Sequence, residues 1–152
     1  MDEIIKNLND WTDEATKQML QSVVKKKRKF DKLKIRHLLV MWITMFFALM
    51  FSYYLYKTVY LPYSYSFAAM FSAFVNNSYN GVLLVFIISL YGFMNVLKQK
   101  VDKIEGEFHA LRCEIIDKSK DLWKSDEAWR KRHEVFYLLK NHYDINLFHE
   151  NK

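Results

Sequence analysis

Three histidines near the end of the chain, His133, His142 and His149, stand beside Glu134, Asp144 and Glu150 in the stretch RHEVFYLLKNHYDINLFHE. That composition invites a metal ion. A helical zinc site of the metalloprotease kind needs His, then Glu, then a second His four residues after the first, so that both imidazoles share one face. His133 and Glu134 supply the first two, but Tyr137 occupies the third place. Histidines at this spacing read as surface or packing residues, so neither a metal nor a cofactor is expected. Glu105 and His109 do share a helical face, as an i, i+4 pair of a kind common on any helix. Cys113 is the single cysteine. It cannot close an internal disulfide, which fits a reducing compartment, and it reads as a half-buried helix residue rather than a nucleophile. The triplet Asn76-Asn77-Ser78 matches a glycosylation sequon, a pattern of low specificity. No catalytic constellation emerges, and the chain is not expected to be an enzyme.

A second chemistry-bearing feature is the run VVKKKRKFDKLKIRHLLVMWITM, with eight basic residues: Lys25, Lys26, Lys27, Arg28, Lys29, Lys32, Lys34 and Arg36. Alone, Lys25 to Lys29 has the composition of a nuclear import signal or a phosphate grip. Yet the run ends within two helical turns of an apolar stretch, and no helix-turn-helix, zinc finger or aromatic stacking platform accompanies it. An anionic membrane leaflet explains it better, at about 1 kcal/mol for each Lys or Arg close to the surface. These eight residues are therefore assigned to lipid-headgroup contact and topology, with no nucleic-acid partner; docking of an acidic partner is a lesser alternative.

The elements that position these residues follow from segregation of charge. Half the chain is apolar and 17% is aromatic, yet mean hydropathy is only −0.17. From His37 to Leu97 the only charge is Lys57. The window Leu38 to Tyr56 holds nineteen uncharged residues, nine of them Leu, Ile, Val or Phe. As a helix it spans about 28 Å, close to the ~30 Å hydrocarbon core of a bilayer. Gly81 to Leu97 is shorter but richer, with eleven of seventeen. A core helix of a soluble protein is the competing reading, but it would need far more chain to hide it on every side. Between the windows, Pro62 should stop the first helix, Ser64 or Ser66 could cap a new one, and an interruption is expected near Asn76 and Asn77. Tyr60, Tyr63, Tyr65 and Tyr79 suit a bilayer interface.

The expected organisation is all-α: a cytoplasmic amphipathic and basic arm over 1–37, a first transmembrane helix over 38–57, and an extracytoplasmic Tyr-rich turn over 58–80. A second transmembrane helix follows over 81–97, then a cytoplasmic helical segment over 98–152. The basic run before the first span and Lys98, Lys100 and Lys103 after the second put both termini in the cytoplasm by the positive-inside rule. The apolar run is too long and starts too late for a cleaved signal peptide. This describes a multi-pass protein of the cell membrane.

In the first arm Ile4, Leu8, Trp11, Ala15, Met19 and Val23 make an apolar stripe, with Thr12 as N-cap before Asp13 and Glu14. In the last segment Val101, Phe108, Ile115, Leu122, Trp129, Phe136 and Tyr143 recur every seven residues. Lys118, Ser125, Arg132 and Asn146 degrade the alternate seam, so a long coiled coil is not secure. Ser125 followed by Asp126 and Glu127 starts a new helix, to about Asn141, after one that reaches about Lys124. Gly106, costing about 1 kcal/mol relative to Ala, would mark a joint. Trp123, Trp129, Phe136 and Tyr137 are the candidates for a partner interface, with internal packing as the alternative for aromatic residues in a helix pair.

The lysine-rich edge, two spans around a tyrosine-rich turn, and SDEAWRKRHEVFYLLKNHYDINLFHE near the end resemble the YpbF-like proteins of spore-forming Firmicutes, two-span membrane proteins of uncharacterised function. The resemblance covers most of the chain. It implies a bacterial inner membrane and carries no reaction and no site residue. The function expected is a membrane-anchored adaptor whose helical arms bind a protein partner or a second copy, with membrane lipids as the other partners. A small pore-forming or holin-like oligomer is the alternative, drawing on Gly81, Ser89 and Gly92 for close helix contact. A membrane enzyme acting on lipid ranks last, because neither span holds an acid or a histidine.

Overall fold

Long apolar and amphipathic runs with one proline and three glycines leave little to break a helix. The computed structural model describes residues 2–8 and 12–148, which form helices and no strand. The order is α1 (Glu3–Lys6), α2 (Glu14–Leu55), a π-helical turn (Tyr56–Tyr60), α3 (Leu61–Tyr63), α4 (Phe67–Asn76), α5 (Ser78–Asp117), α6 (Ser119–Leu122) and α7 (Asp126–Tyr143). The chain divides into two units, Met1–Leu33 with Val101–Lys152, and Lys34–Lys100. Two helices are long and apolar enough to cross a membrane, one reaching from Glu14 to Tyr63 and the other α5.

Within the unit over 34–100, α2 and α5 meet at Phe47 and Phe86, whose rings lie edge to face at 5.6 Å. Little of either apolar window is buried in the chain. Leu39, Trp42, Phe46 and Leu49 on α2 and Val82, Val85 and Ile88 on α5 are exposed. The first helix stops at Pro62, as expected, to within one residue. Helical geometry passes through it and ends at Tyr63. The N–H of Leu61 bonds to the carbonyl of Tyr56, five residues back, so the ladder shifts by one residue just where proline removes a donor. Ser66 takes the N-cap position of α4, with extended backbone and its carbonyl accepting from Met70 N–H at 3.1 Å, but its side chain adds no cap bond. The interruption falls at Asn77, and α5 starts three residues before Gly81.

In the other unit, Asp13 and not Thr12 caps α2: its Oδ1 accepts the Thr16 N–H at 2.8 Å, and Thr12 is buried. The buried face of α2 is Thr16, Leu20, Val23, Val24 and Phe30; of the expected stripe Val23 is buried and Met19 packs against the core, while Ala15 is exposed and Thr16 is buried beside it. Pattern counting passed over Thr16 because it is polar. Its hydroxyl is satisfied by donating to the carbonyl of Leu122 at 3.2 Å, which permits full burial. Trp11 lies outside the described residues. Ile5 of α1 joins the same core, with Phe108 and Ile115 of α5 and Val135, Phe136 and Leu139 of α7.

No long coiled coil forms, because α5 ends at Asp117. The short α6 and Trp123 reverse the chain, and Ser125 starts α7 by accepting the Ala128 N–H at 3.1 Å. At its far end Asp144 adopts the left-handed conformation, with φ 54° and ψ 38°. The N–H groups of Asp144 and Ile145 bond back to Lys140 and Leu139, closing the helix while Ile145 and Leu139 bury together. α5 runs unbroken through Gly106, where a Cβ would meet open space.

The α2 cap has a pH consequence. The adjacent Thr16 side chain and the bond from the Thr16 backbone N–H hold the Asp13 carboxyl below the usual carboxylate range, with Lys124 adding to them against the cost of desolvation. A folded-state pKa below the unfolded one gives stability that is present above the unfolded value and disappears as pH falls through the folded value. Acidification from neutrality through the carboxylate range should therefore weaken this unit. Asp13→Asn, which keeps a good cap, should flatten that acid limb, whereas Asp13→Ala should cost about 1 kcal/mol at neutral pH. Denaturant melts of both variants across the acid range measure it.

Candidate functional site

The basic run is divided by the helix that carries it. Lys26 pairs with Glu107 of α5, and this bond is the main reason the Glu107 carboxyl is held below the usual range. Lys27 reaches Asp31 at 3.2 Å on its own helix and Asp144 at 3.5 Å beyond α7. Arg28 meets Asp2 at 2.7 Å, and its guanidinium stands 5.4 Å above the ring of Tyr143. Asp2 also donates its backbone N–H to Gln21 at 2.9 Å. Three successive basic residues thus tie α2 to three other segments. Lys25, Lys29, Lys32 and Arg36 are exposed and make no salt bridge among the described residues.

The four aromatic candidates for a partner surface separate in the same way. Trp123 is 1% exposed and Phe136 is buried, and their rings meet edge to face at 5.5 Å. For these two, internal packing holds and the surface role falls, because the Ser125 cap folds α7 back over Trp123. Trp129 is half-buried against the core, its ring covered by the Arg132 guanidinium at 3.4 Å. Tyr137 stands 61% exposed on α7. It is the one of the four that faces outward.

The histidines do not converge. His133 lies with Nδ1 2.6 Å from the Arg130 carbonyl, His142 packs beside Tyr143, and His109 Nε2 is 3.9 Å from Glu105. His149 and Glu150 lie outside the described residues. Among the described residues no three His, Cys, Asp or Glu side chains cluster as a metal site would require.

A polar cluster that sequence reasoning missed sits at the break between α4 and α5. Asn77 Nδ2 donates to the Tyr54 hydroxyl at 3.1 Å, and its Oδ1 accepts the Tyr79 N–H at 3.1 Å. Asn80 is buried and donates to the carbonyl of Phe74 at 3.0 Å. The Asn-rich interruption was visible in sequence, but the burial of Asn80, the third residue of α5, was not. Beside Tyr54 a groove of about 260 Å³ opens between α2 and α5, lined by Phe47, Phe51, Leu83, Phe86 and Ile87 among others. Lys57, the lone charge of the apolar block, lies 5.9 Å from the ring of Tyr53.

No solved structure matches the chain. The uncharacterised protein YpbF of Bacillus subtilis (strain 168) is 32% identical over 152 residues, covering all of both chains. Residues 19–150 match the model of a family described as "Protein of unknown function (DUF2663)". The chain therefore belongs to the YpbF-like family, the DUF2663 proteins.

Proposed function

We propose that this protein is a two-span membrane hairpin, with spans over 38–57 and 81–97, that presents the bundle of α1, the start of α2, the end of α5 and α7 in the cytoplasm as a docking module for a protein partner. The observation that carries the membrane part is the exposed apolar surface of α2 and α5 over 34–100. Soluble monomers rarely expose a contiguous apolar patch larger than a few hundred Å². Lipid is the solvent that makes such a surface favourable, and the window lengths match a bilayer. The cytoplasmic placement of both ends rests on the basic residues that flank the windows. No role here calls for a catalytic group or a cofactor, and the module acts by binding.

Tyr137 is the preferred contact in the docking module. A tyrosine exposed on a helix of a well-packed bundle offers a rigid ring and a hydroxyl to a partner. Tyr137→Ala should leave stability within about 0.5 kcal/mol, as for an exposed residue. It should reduce a crosslinked partner band from native membranes, with Trp129→Ala reducing it less. Crosslinking unchanged in both variants would count against this surface.

A pore is the second reading, favoured by one observation. At Gly81 and Gly92 an added Cβ would meet nothing within 4 Å, so α5 keeps two positions open for close approach of another helix. Dye release from liposomes by purified protein separates the readings: the docking module leaves vesicles sealed, and an oligomeric pore empties them.

A further inference from the structure

The groove beside Tyr54 closes on a hydrogen-bond acceptor that the unit over 34–100 does not use. Asn80 is 1% exposed, and its Nδ2 donates to the carbonyl of Phe74 at 3.0 Å. Its Oδ1 is buried with no hydrogen-bond partner among the described residues. A buried acceptor left unmatched is costly, so the place calls for a donor. Residues 80, 83 and 87 of α5 fall within about 60° of one another around the helix, and Leu83 and Ile87 line the groove. Asn80 therefore stands at one end of it, about 4.5 Å along the axis from Leu83. Tyr54 lines the groove too, and its hydroxyl accepts from Asn77 Nδ2 at 3.1 Å, which leaves its own proton free to donate. The other lining side chains, Phe47, Met50, Phe51, Leu83, Phe86 and Ile87, are apolar.

We propose that this groove binds one long-chain lipid alcohol, its chain laid between α2 and α5 and its hydroxyl donating to Asn80 Oδ1 while accepting from Tyr54. The proposal rests on the membrane reading above for the source of the ligand. A hydroxyl is the group that both gives and takes a hydrogen bond at a single atom, as this end of the groove requires. A dry cavity of roughly 150 Å³ takes one benzene ring, so a groove of about 260 Å³ has room for a chain segment on the order of ten carbons. A charged or sugar-like ligand would lose its water against Phe47, Phe51 and Phe86 without repayment. Ordinary diacyl phospholipid offers only ester acceptors next to its chains, and leaves Asn80 unmatched. A second copy of the chain does little better, because the hydroxyls of Thr44, Ser52 and Ser89 are already donated to carbonyls of their own helices.

The full-length protein would be reconstituted in phosphatidylcholine vesicles and irradiated with a diazirine-bearing long-chain alcohol, and the labelled residues read by peptide mass spectrometry. Label is expected on the groove residues. Dodecanol should compete for it about five- to tenfold better than dodecyl methyl ether, which keeps the chain and lacks the proton to donate. Asn80→Ala should erase that difference. Because Asn80→Ala also removes the bond to Phe74, Ile87→Trp serves as a second variant: it fills the groove, leaves Asn80 in place, and should remove the label while the melting temperature holds. Equal competition by the alcohol and the ether would overturn the proposal, as would label spread evenly over exposed positions such as Leu39 and Val82. Lining residues that take no label while two chains crosslink through them would assign the groove to a second copy instead. Extraction of the parent chain from native membranes by alkaline carbonate would overturn the membrane reading, separately from the choice between alcohol and ether.

Discussion

Trp123→Ala should strongly destabilise the unit formed by Met1–Leu33 with Val101–Lys152. The side chain is 1% exposed and its ring meets Phe136 edge to face, where Val135, Leu139 and Ile115 belong to the same core. Truncating a buried aromatic to alanine costs about 3–5 kcal/mol, from lost transfer free energy and from the cavity left behind. A small domain has only about 5–15 kcal/mol of stability in total, so one such loss removes much of it. Trp123 also stands where the chain reverses between α6 and α7, so collapse of the cavity would disturb the reversal itself. Trp123→Phe should recover most of the loss, because the ring and its contact with Phe136 remain. Thermal melts of detergent-purified protein followed by near-UV circular dichroism measure the effect. A variant with unchanged melting would return Trp123 to the surface.

The second large effect is expected from Ile88→Arg. Ile88 lies near the middle of the 81–97 window and is 60% exposed. In a helix facing water, arginine at so open a position would change stability by no more than about 0.5 kcal/mol. In a helix facing lipid the same change moves a residue worth about −0.5 kcal/mol on the insertion scale to one costing about 2.5–3.5 kcal/mol at the helix centre. The shorter span has little apolar length to spare, so the variant should shift from the membrane fraction to degraded or aggregated material. Equal membrane recovery of Ile88→Arg and the parent chain would mean that α5 does not face lipid.

Much of the helical frame was legible in sequence, because it is written in long-range patterns. The silence of charge from His37 to Leu97 marks both apolar windows, and Ser125-Asp126-Glu127 marks the start of α7. Failures came where one side chain outweighs a pattern. Thr16 is buried because a carbonyl of Leu122 accepts its hydroxyl, and that pairing spans 106 residues of sequence. The α2 stripe therefore held at Met19 and Val23 and failed at Ala15, beside which Thr16 is buried. The π-helical turn ahead of Pro62 was also missed, because nothing in local propensity announces such a turn. The candidate surface was legible in composition but not in facing. Trp123 and Tyr137 are both aromatic residues near the end of the chain, yet the fold-back at Ser125 buries one and exposes the other. Likewise Lys25 to Arg36 reads as one charged block until α2 separates the residues that grip Glu107, Asp144 and Asp2 from those that face out.

The hairpin itself is tested most directly by cysteine accessibility in intact cells. With Cys113→Ser as background, single cysteines would be placed by Tyr65→Cys, at the exposed turn between α3 and α4, and by Lys120→Cys, in α6. A membrane-impermeant maleimide should label the first from outside the cell, and the second only after the membrane is permeabilised. Labelling of Lys120→Cys from outside, or of Tyr65→Cys only after permeabilisation, would contradict the account.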